Sequence, residues 1–106
     1  MKEYVNKEDP AREALVNEII FEIYDGNRGW KEAIEEIEWA AKEADPGRDY
    51  VEHGNILYFD EPIREILEMC GYTDLSDRKA NFNLYVSATN DAISHILQNR
   101  NDFLAD

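Results

Sequence analysis

Residues 9–26 have the sequence DPAREALVNEIIFEIYDG and predict the first helix of the fold. Asp9 is a good N-cap, because its carboxylate accepts hydrogen bonds from the free N–H groups of the first turn, and Pro10 suits the first helical position. Asp25-Gly26 closes the segment. The apolar residues between these ends recur at helical spacing and form one stripe, which we expect to face the core. They are Leu15, Val16, Ile19, Ile20 and Ile23.

A second helix is predicted from about Trp30 to Ala44, and Asp45-Pro46-Gly47 ends it. At about 100° of rotation per residue, one face of this helix is apolar and is expected to pack inward. That face consists of Trp30, Ala33, Ile34, Ile37, Ala40, Ala41 and Ala44.

An ambiguous stretch separates the second helix from the third. Residues 50–59 are compatible with either a short strand or an irregular helix. Asp60-Glu61-Pro62 is typical of a helix start and Gly71 of a helix end, so a short third helix is expected between them. Its predicted buried row is Ile63, Ile66, Leu67 and Cys70.

The last helical segment begins after a connector at residues 72–75, where Ser76 or Asp77 supplies the N-cap. Five asparagines between Asn81 and Asn101 lower the helix propensity, which predicts a kink or break near Asn90. Together these patterns predict a mostly α fold: a single acidic domain over residues 1–106, built as a small bundle of about four helices, with a minor β element near residues 56–59 as an option. The apolar positions of the last segment are Phe82, Tyr85, Val86, Ala92, Ile93, Ile96, Leu97, Phe103 and Leu104.

The chain is strongly acidic, with 24 Asp plus Glu against 11 Lys plus Arg and a net charge of -13 over 106 residues. Such a negative field disfavours direct binding to nucleic acid or to anionic membranes, and it attracts basic protein surfaces. Apolar residues make up 43% of the chain and are spread through it, which predicts a folded protein. Cys70 is the single cysteine, and no apolar run approaches the ~20 residues of a membrane span. We therefore expect a cytoplasmic protein.

No pattern typical of an enzyme is found, so we expect no catalytic residue, no metal site and no cofactor. An EF-hand frame beginning at Asp25 fails, because Trp30 replaces the glycine that the loop needs for its sharp turn. His53 and His95 lack zinc or di-iron spacing, and Cys70 lies in an apolar row that predicts burial. Carboxylate pairs are frequent, but 24 acidic residues produce such pairs by chance.

The outer face of the second helix combines carboxylates with a large aromatic ring. At helical spacing, Trp39 lies among glutamates on the side opposite the apolar face. A Trp surrounded by polar groups is typical of an interface anchor. The alternative is that Trp39 packs under residues 50–59 or under the N-terminal arm with Tyr4. The predicted partner-binding residues are Glu32, Glu35, Glu36, Trp39 and Glu43, extended by Asp45, Asp49 and Glu52.

The chain resembles the small acidic DNA-mimic inhibitors that phages and mobile elements direct against host defence, such as the overcome-restriction proteins. The resemblance is in size, charge and helical pattern, and it is strongest in the segment WKEAIEEIEW at residues 30–39. The resemblance implies a non-enzymatic inhibitor whose carboxylates stand in for phosphates in the basic channel of a restriction, CRISPR or other DNA-processing enzyme. The acids would supply steering and ion pairs, and Trp39 a desolvated anchor. Residues 101–106 do not form the strongly acidic tail of the overcome-restriction proteins, which leaves the particular target open.

A different class of function is a small helical adaptor or regulatory subunit that binds one protein through an apolar groove and is acidic only for solubility. Phe82 and Tyr85, or a homodimer formed by a self-associating face around Trp39, would then matter more than charge. Neutralising the glutamates of the second helix separates the two hypotheses, because only a mimic should lose most of its affinity.

Overall fold

The computed structural model describes residues 2–27, 29–43 and 63–105, and these residues form five α-helices and no strand. The prediction of a mostly α fold, a small bundle of about four helices, is confirmed by the five that the described residues contain. The optional β element near residues 56–59 lies outside the described residues. The helices are α1 (Pro10–Asp25), α2 (Trp30–Glu43), α3 (Ile63–Met69), α4 (Arg78–Gln98) and α5 (Arg100–Leu104).

Helix α1 packs mainly against α4, and its two ends are those the sequence predicts. Oδ1 of Asp9 accepts a hydrogen bond from the backbone N–H of Arg12 at 3.1 Å. At the other end, the backbone N–H of Gly26 donates to the carbonyl of Glu22 at 2.9 Å. All five residues of the predicted stripe are buried. Because each aliphatic side chain gains about 1.5–3 kcal/mol from burial, the stripe fixes which side of α1 faces the bundle.

Helix α4 contacts each of the other four helices. Its N-cap is Asp77, whose carboxylate accepts hydrogen bonds from the first turn of the helix. Its inward row includes Asn81, which is buried, whereas Phe82 is 46% exposed. The helical period decides this outcome, since counting back from Ala88 and Tyr85 along the buried row leads to Asn81 and not to its aromatic neighbour. The buried positions of α4 are Asn81, Tyr85, Ala88, Thr89, Ala92, Ile93 and Ile96.

The predicted break near Asn90 is wrong, because α4 is continuous from Arg78 to Gln98. Thr89 is buried in the middle of the helix, and its hydroxyl donates to the carbonyl of Tyr85 at 2.8 Å. This bond satisfies the hydroxyl without opening the helix. Packing of the buried face therefore outweighs the low helix propensity of the segment.

The helical segment breaks at Asn99 instead. Its backbone N–H and its Nδ2 both donate to the carbonyl of His95, at 3.1 and 2.9 Å. The short helix α5 follows and buries Phe103, whose ring lies 4.6 Å from that of Trp30 between centroids. Leu104 is exposed. The break thus lets α5 turn back and cover the start of α2.

Helix α3 ends in a Schellman motif at Gly71. The backbone N–H of Tyr72 donates to the carbonyl of Leu67, and that of Gly71 donates to the carbonyl of Glu68, both at 3.1 Å. Gly71 has a φ of 107°, a conformation that residues with a Cβ rarely adopt. Ile66 and Leu67 are buried as predicted, whereas Cys70 is only half-buried.

The segment that precedes α1 is attached to α1 and α4. Tyr4 exchanges two hydrogen bonds with the side chain of Asn17, at 2.9 and 2.8 Å. Nε2 of His95 lies 2.9 Å from the carbonyl oxygen of Lys2, and the rings of Tyr4 and His95 meet edge to face. No helix in the described part of the chain is long and apolar enough to cross a membrane.

Candidate functional site

The inner face of α2 is fixed by aromatic and aliphatic packing. Trp30 is buried between two rings, with centroid distances of 5.1 Å to Tyr24 and 4.6 Å to Phe103. Ala33, Ile34 and Ile37 are buried behind it, as the sequence predicts. Because these residues occupy one side of the helix, the residues half a turn away must point outward.

The outward side of α2 carries the predicted glutamates and the predicted tryptophan. Glu32, Glu35 and Glu36 are exposed, and their side chains form no hydrogen bond or ion pair within the described residues. Trp39 is 58% exposed. The spacing of three, four and seven residues from Glu32 places all four side chains on one stripe. We call this stripe the acidic face of α2; it comprises Glu32, Glu35, Glu36 and Trp39.

The other predicted partner-binding residues are placed only in part. Glu43 is the last residue of α2, and the direction of its side chain lies outside what the structure describes, so its role stays a prediction. Asp45, Asp49 and Glu52 lie outside the described residues, so their role stays a prediction.

The N-terminal arm is one of the two elements that the sequence offers as a cover for Trp39. Tyr4 instead packs on His95, with ring centroids 5.7 Å apart, and bonds to Asn17 of α1. That alternative is therefore wrong. The second covering element, residues 50–59, lies outside the described residues.

Glu38 differs from its glutamate neighbours because it has a partner. Its Oε1 lies 2.8 Å from Nη1 of Arg100, and both side chains are about half exposed. An exposed ion pair of this kind contributes up to about 1 kcal/mol, and it joins α2 to α5. Sequence reasoning did not single out this pair, since its members are far apart along the chain and no local pattern relates them.

Acidic residues are concentrated in one part of the sequence. Residues 32–77 contain fourteen acidic residues against three Lys plus Arg, whereas residues 78–106 contain three of each. The acidic face of α2 therefore begins the region that carries most of the net charge.

Several other titratable groups in the described part of the chain are engaged in pairs or shifted by burial. Asp91, one turn from His95, pairs with Arg12 instead, at 2.6 Å between Oδ2 and Nη2. Burial, followed by the nearby charge of Glu18, raises the pKa of the Cys70 thiol, which lowers its fraction of nucleophilic thiolate. Within the described residues, no three His, Cys, Asp or Glu side chains are placed to hold a metal ion. His53 lies outside those residues.

Sequence reasoning also missed a cavity between α3 and α4. Arg64 and Arg78 line it together with the exposed ring of Phe82. The helical period contained a usable signal, because it places Asn81 in the core and leaves Phe82 beside it at the surface. Tyr85, the other aromatic residue named for the adaptor hypothesis, is buried and cannot form a surface.

No protein-family model, no curated protein and no solved structure matches this chain.

Proposed function

We propose that this protein is a non-enzymatic inhibitor whose acidic surface imitates the phosphates of DNA and blocks the basic DNA-binding cleft of a defence enzyme of the restriction or CRISPR type. The observation that supports this most directly is the acidic face of α2, where three carboxylates without a partner among the described residues share one stripe with a tryptophan that is 58% exposed. Elsewhere on α2, Glu38 has a partner within the protein. The unpaired set is thus available to a partner.

The charge density of the face is comparable with that of one DNA strand. Glu32 and Glu43 are separated by about 16 Å along the helix axis, at about 1.5 Å per residue. Four glutamates over that length compare with one phosphate per about 3.4 Å along a single strand of duplex DNA. Lys and Arg side chains that line a DNA-binding cleft would therefore meet a similar average charge density, although the glutamates are unevenly spaced, with a gap of about 10 Å between Glu36 and Glu43. Asp45, Asp49 and Glu52 extend this charge in the proposal.

Trp39 adds an apolar contact that phosphates alone do not supply. Covering a large aromatic side chain at the centre of an interface contributes several kcal/mol, and tryptophan is among the residues most enriched at such positions. An Arg of the partner can also stack on the indole ring while it pairs with a neighbouring carboxylate. The glutamates would then determine the association rate and its dependence on salt, whereas Trp39 would determine the lifetime of the complex.

The rigidity of α2 favours binding by this face. Trp30 is buried between the rings of Tyr24 and Phe103, and the next inner residues of α2 are buried too, so the outer carboxylates are carried on a helix whose orientation is set by packing. A preorganised surface loses less conformational entropy on association than a flexible acidic tail does.

The proposal is tested by capturing partners from a bacterial lysate at about 0.1 M and about 1 M NaCl, between which the screening length falls from about 10 Å to about 3 Å. We expect basic DNA-processing enzymes to be captured at low salt and released at high salt. Each captured enzyme is then assayed for DNA cleavage, which the protein should inhibit in competition with DNA. Salt-resistant capture of proteins that do not bind DNA would contradict the proposal.

A matched pair of triple variants separates the acidic face from net charge. Glu32→Gln, Glu35→Gln and Glu36→Gln together should abolish most capture and inhibition. The control variant neutralises Glu8, Glu65 and Glu68, which are also exposed and unpaired within the described residues, and it should retain both activities. Equal loss in the two variants would show that only total charge matters.

The adaptor hypothesis keeps one supporting observation, the 46% exposure of Phe82 at the mouth of the cavity between α3 and α4. An adaptor should bind its partner at both salt concentrations and should tolerate the triple substitution on α2. If the partner is a second copy of the chain that packs on Trp39, Trp39→Ala should convert a dimer into a monomer in a mass measurement in solution.

A further inference from the structure

The cavity between α3 and α4 has a volume of about 560 Å³. This volume falls within the range of about 300–1,000 Å³ that is typical of sites for small molecules. Apolar atoms make up most of the lining surface, and four of the seven lining residues also carry polar groups. The residues that line it are Ile63, Arg64, Leu75, Ser76, Arg78, Asn81 and Phe82.

The inner wall of the cavity is held in place by the fold. Leu75 and Asn81 are both buried, and Nδ2 of Asn81 donates to the carbonyl of Leu75 at 2.9 Å. This bond ties the connector to the first turns of α4. Asp77 is engaged nearby as the N-cap of α4, where its carboxylate accepts hydrogen bonds from the N–H groups of Lys79 and Ala80. The wall therefore exists before any ligand arrives.

The two arginines of the cavity are unusual in so acidic a chain. Neither Arg64 nor Arg78 forms an ion pair within the described residues, although acidic side chains outnumber basic ones there. Arg12 and Arg100, by contrast, are each paired with a carboxylate. Two unpaired guanidinium groups beside an apolar cavity are complementary to an anion, and the planar guanidinium fork suits a carboxylate in particular.

We propose that this cavity binds a small organic carboxylate with an apolar body. The carboxylate pairs with Arg64 and Arg78, while the apolar body lies between Ile63, Leu75 and the ring of Phe82. The inference is independent of the proposed function, because it rests on residues of α3, α4 and their connector and on none of the acidic face of α2.

The experiment titrates the 106-residue protein with 2-naphthoate, 4-phenylbutyrate and decanoate, and follows backbone amides by two-dimensional NMR. At least one acid should bind saturably and shift the amides of Ile63, Leu75 and Phe82. The primary amide of the same acid keeps the apolar body without the charge. It should bind at least about tenfold more weakly than the acid, because the charge-assisted hydrogen bonds to the arginines are lost. The double variant Arg64→Ala/Arg78→Ala should show a similar loss.

Three controls make the outcome specific. Lys79→Ala removes an exposed cation that does not line the cavity, and it should leave affinity within about twofold. Phe82→Ala should weaken the acid and its amide equally, because it removes an apolar contact. Glu35→Gln/Glu36→Gln should bind the acid as the unchanged protein does, which separates this site from the acidic face. The absence of saturable binding by all three acids, or equal affinity for acid and amide, would overturn the proposal.

Discussion

Cys70 and Tyr72 lie on either side of the Gly71 turn, and both have a raised pKa. Desolvation by burial is the larger cause for each, followed by the negative charge of Glu18 near Cys70 and of Asp9 near Tyr72. The Tyr72 hydroxyl is also buried without a protein hydrogen-bond partner among the described residues. Both side chains are thus held in their neutral forms by the fold.

These shifts predict that the protein loses stability in alkaline solution. Above the ordinary thiol pKa of 9.0, the unfolded chain releases protons that the folded chain retains, so the free energy of unfolding falls as the pH rises. Urea titrations at pH 7, 9 and 10.5 should show this fall, and the double variant Cys70→Ala/Tyr72→Phe should show a smaller one. An identical pH dependence in the two proteins would contradict the assignment.

Glycines that end helices are not equivalent in this fold. Gly26 follows α1 with a φ of -78°, which any residue adopts, whereas Gly71 follows α3 with a φ of 107°. We expect Gly71→Ala to lower the free energy of unfolding by about 1–3 kcal/mol, the typical cost of a strained backbone conformation. A Cβ at Gly71 would lie 3.9 Å from Cβ of Ala11, an ordinary contact, so the cost comes from the backbone.

The matched control is Gly26→Ala, which should change the free energy of unfolding by no more than about 1 kcal/mol and is expected to stabilise, since alanine restricts the unfolded chain. Denaturant unfolding of both variants measures the contrast. Equal effects at the two glycines would mean that the turn at Gly71 does not need its positive φ.

One ion pair connects the two helices at the centre of the core. The guanidinium of Arg12, in α1, donates two hydrogen bonds to Oδ2 of Asp91, in α4: one from Nη2 at 2.6 Å and one from Nε at 3.2 Å. Nη2 also donates to the hydroxyl oxygen of Ser87 at 2.8 Å. A double-mutant cycle with Arg12→Ala and Asp91→Ala should give a coupling energy of about 1 kcal/mol, because the pair is partly exposed. A coupling near zero would show that the contact only accompanies the packing of α1 on α4.

The helices differ in how far their sequence determines them. The ends and buried stripe of α1 follow from Asp9, Pro10 and the apolar spacing, because all these signals are local. The continuity of α4 does not follow from local signals, because it depends on burial of Thr89 and on packing against the other helices. Local propensity alone therefore placed a break near Asn90 that tertiary packing removes.

The same distinction applies to the candidate site. The outward direction of Glu32, Glu35, Glu36 and Trp39 follows from the helical period once the inner face is known. The Glu38–Arg100 pair and the cavity with its two arginines bring together residues that are distant in the sequence. Such contacts depend on how the helices pack, which no local pattern specifies.

At the scale of the whole molecule, the acidic face is expected to oppose stability in the absence of a partner. Glu32 benefits from its place in the first turn of α2, near the positive end of the helix dipole. Glu35 and Glu36 have no such benefit and lie three and four residues from Glu32, where like charges repel by about 0.2–0.5 kcal/mol per pair. Removing the charges of Glu35 and Glu36 should therefore relieve repulsion and leave the favourable charge of Glu32 in place.

Glu35→Gln/Glu36→Gln is accordingly predicted to raise the free energy of unfolding by about 0.5–1 kcal/mol at low salt. The gain should shrink in about 1 M NaCl, where the screening length falls to about 3 Å. The proposed inhibitor function predicts the opposite effect of this variant on partner capture, which should fall. Urea titrations at two salt concentrations, made on the same preparation as the capture assay, compare the two quantities. If the variant is captured more weakly and its stability is unchanged or lower, these glutamates also support the fold. If it is captured more weakly but is more stable, the two charges are kept for binding at a cost in stability.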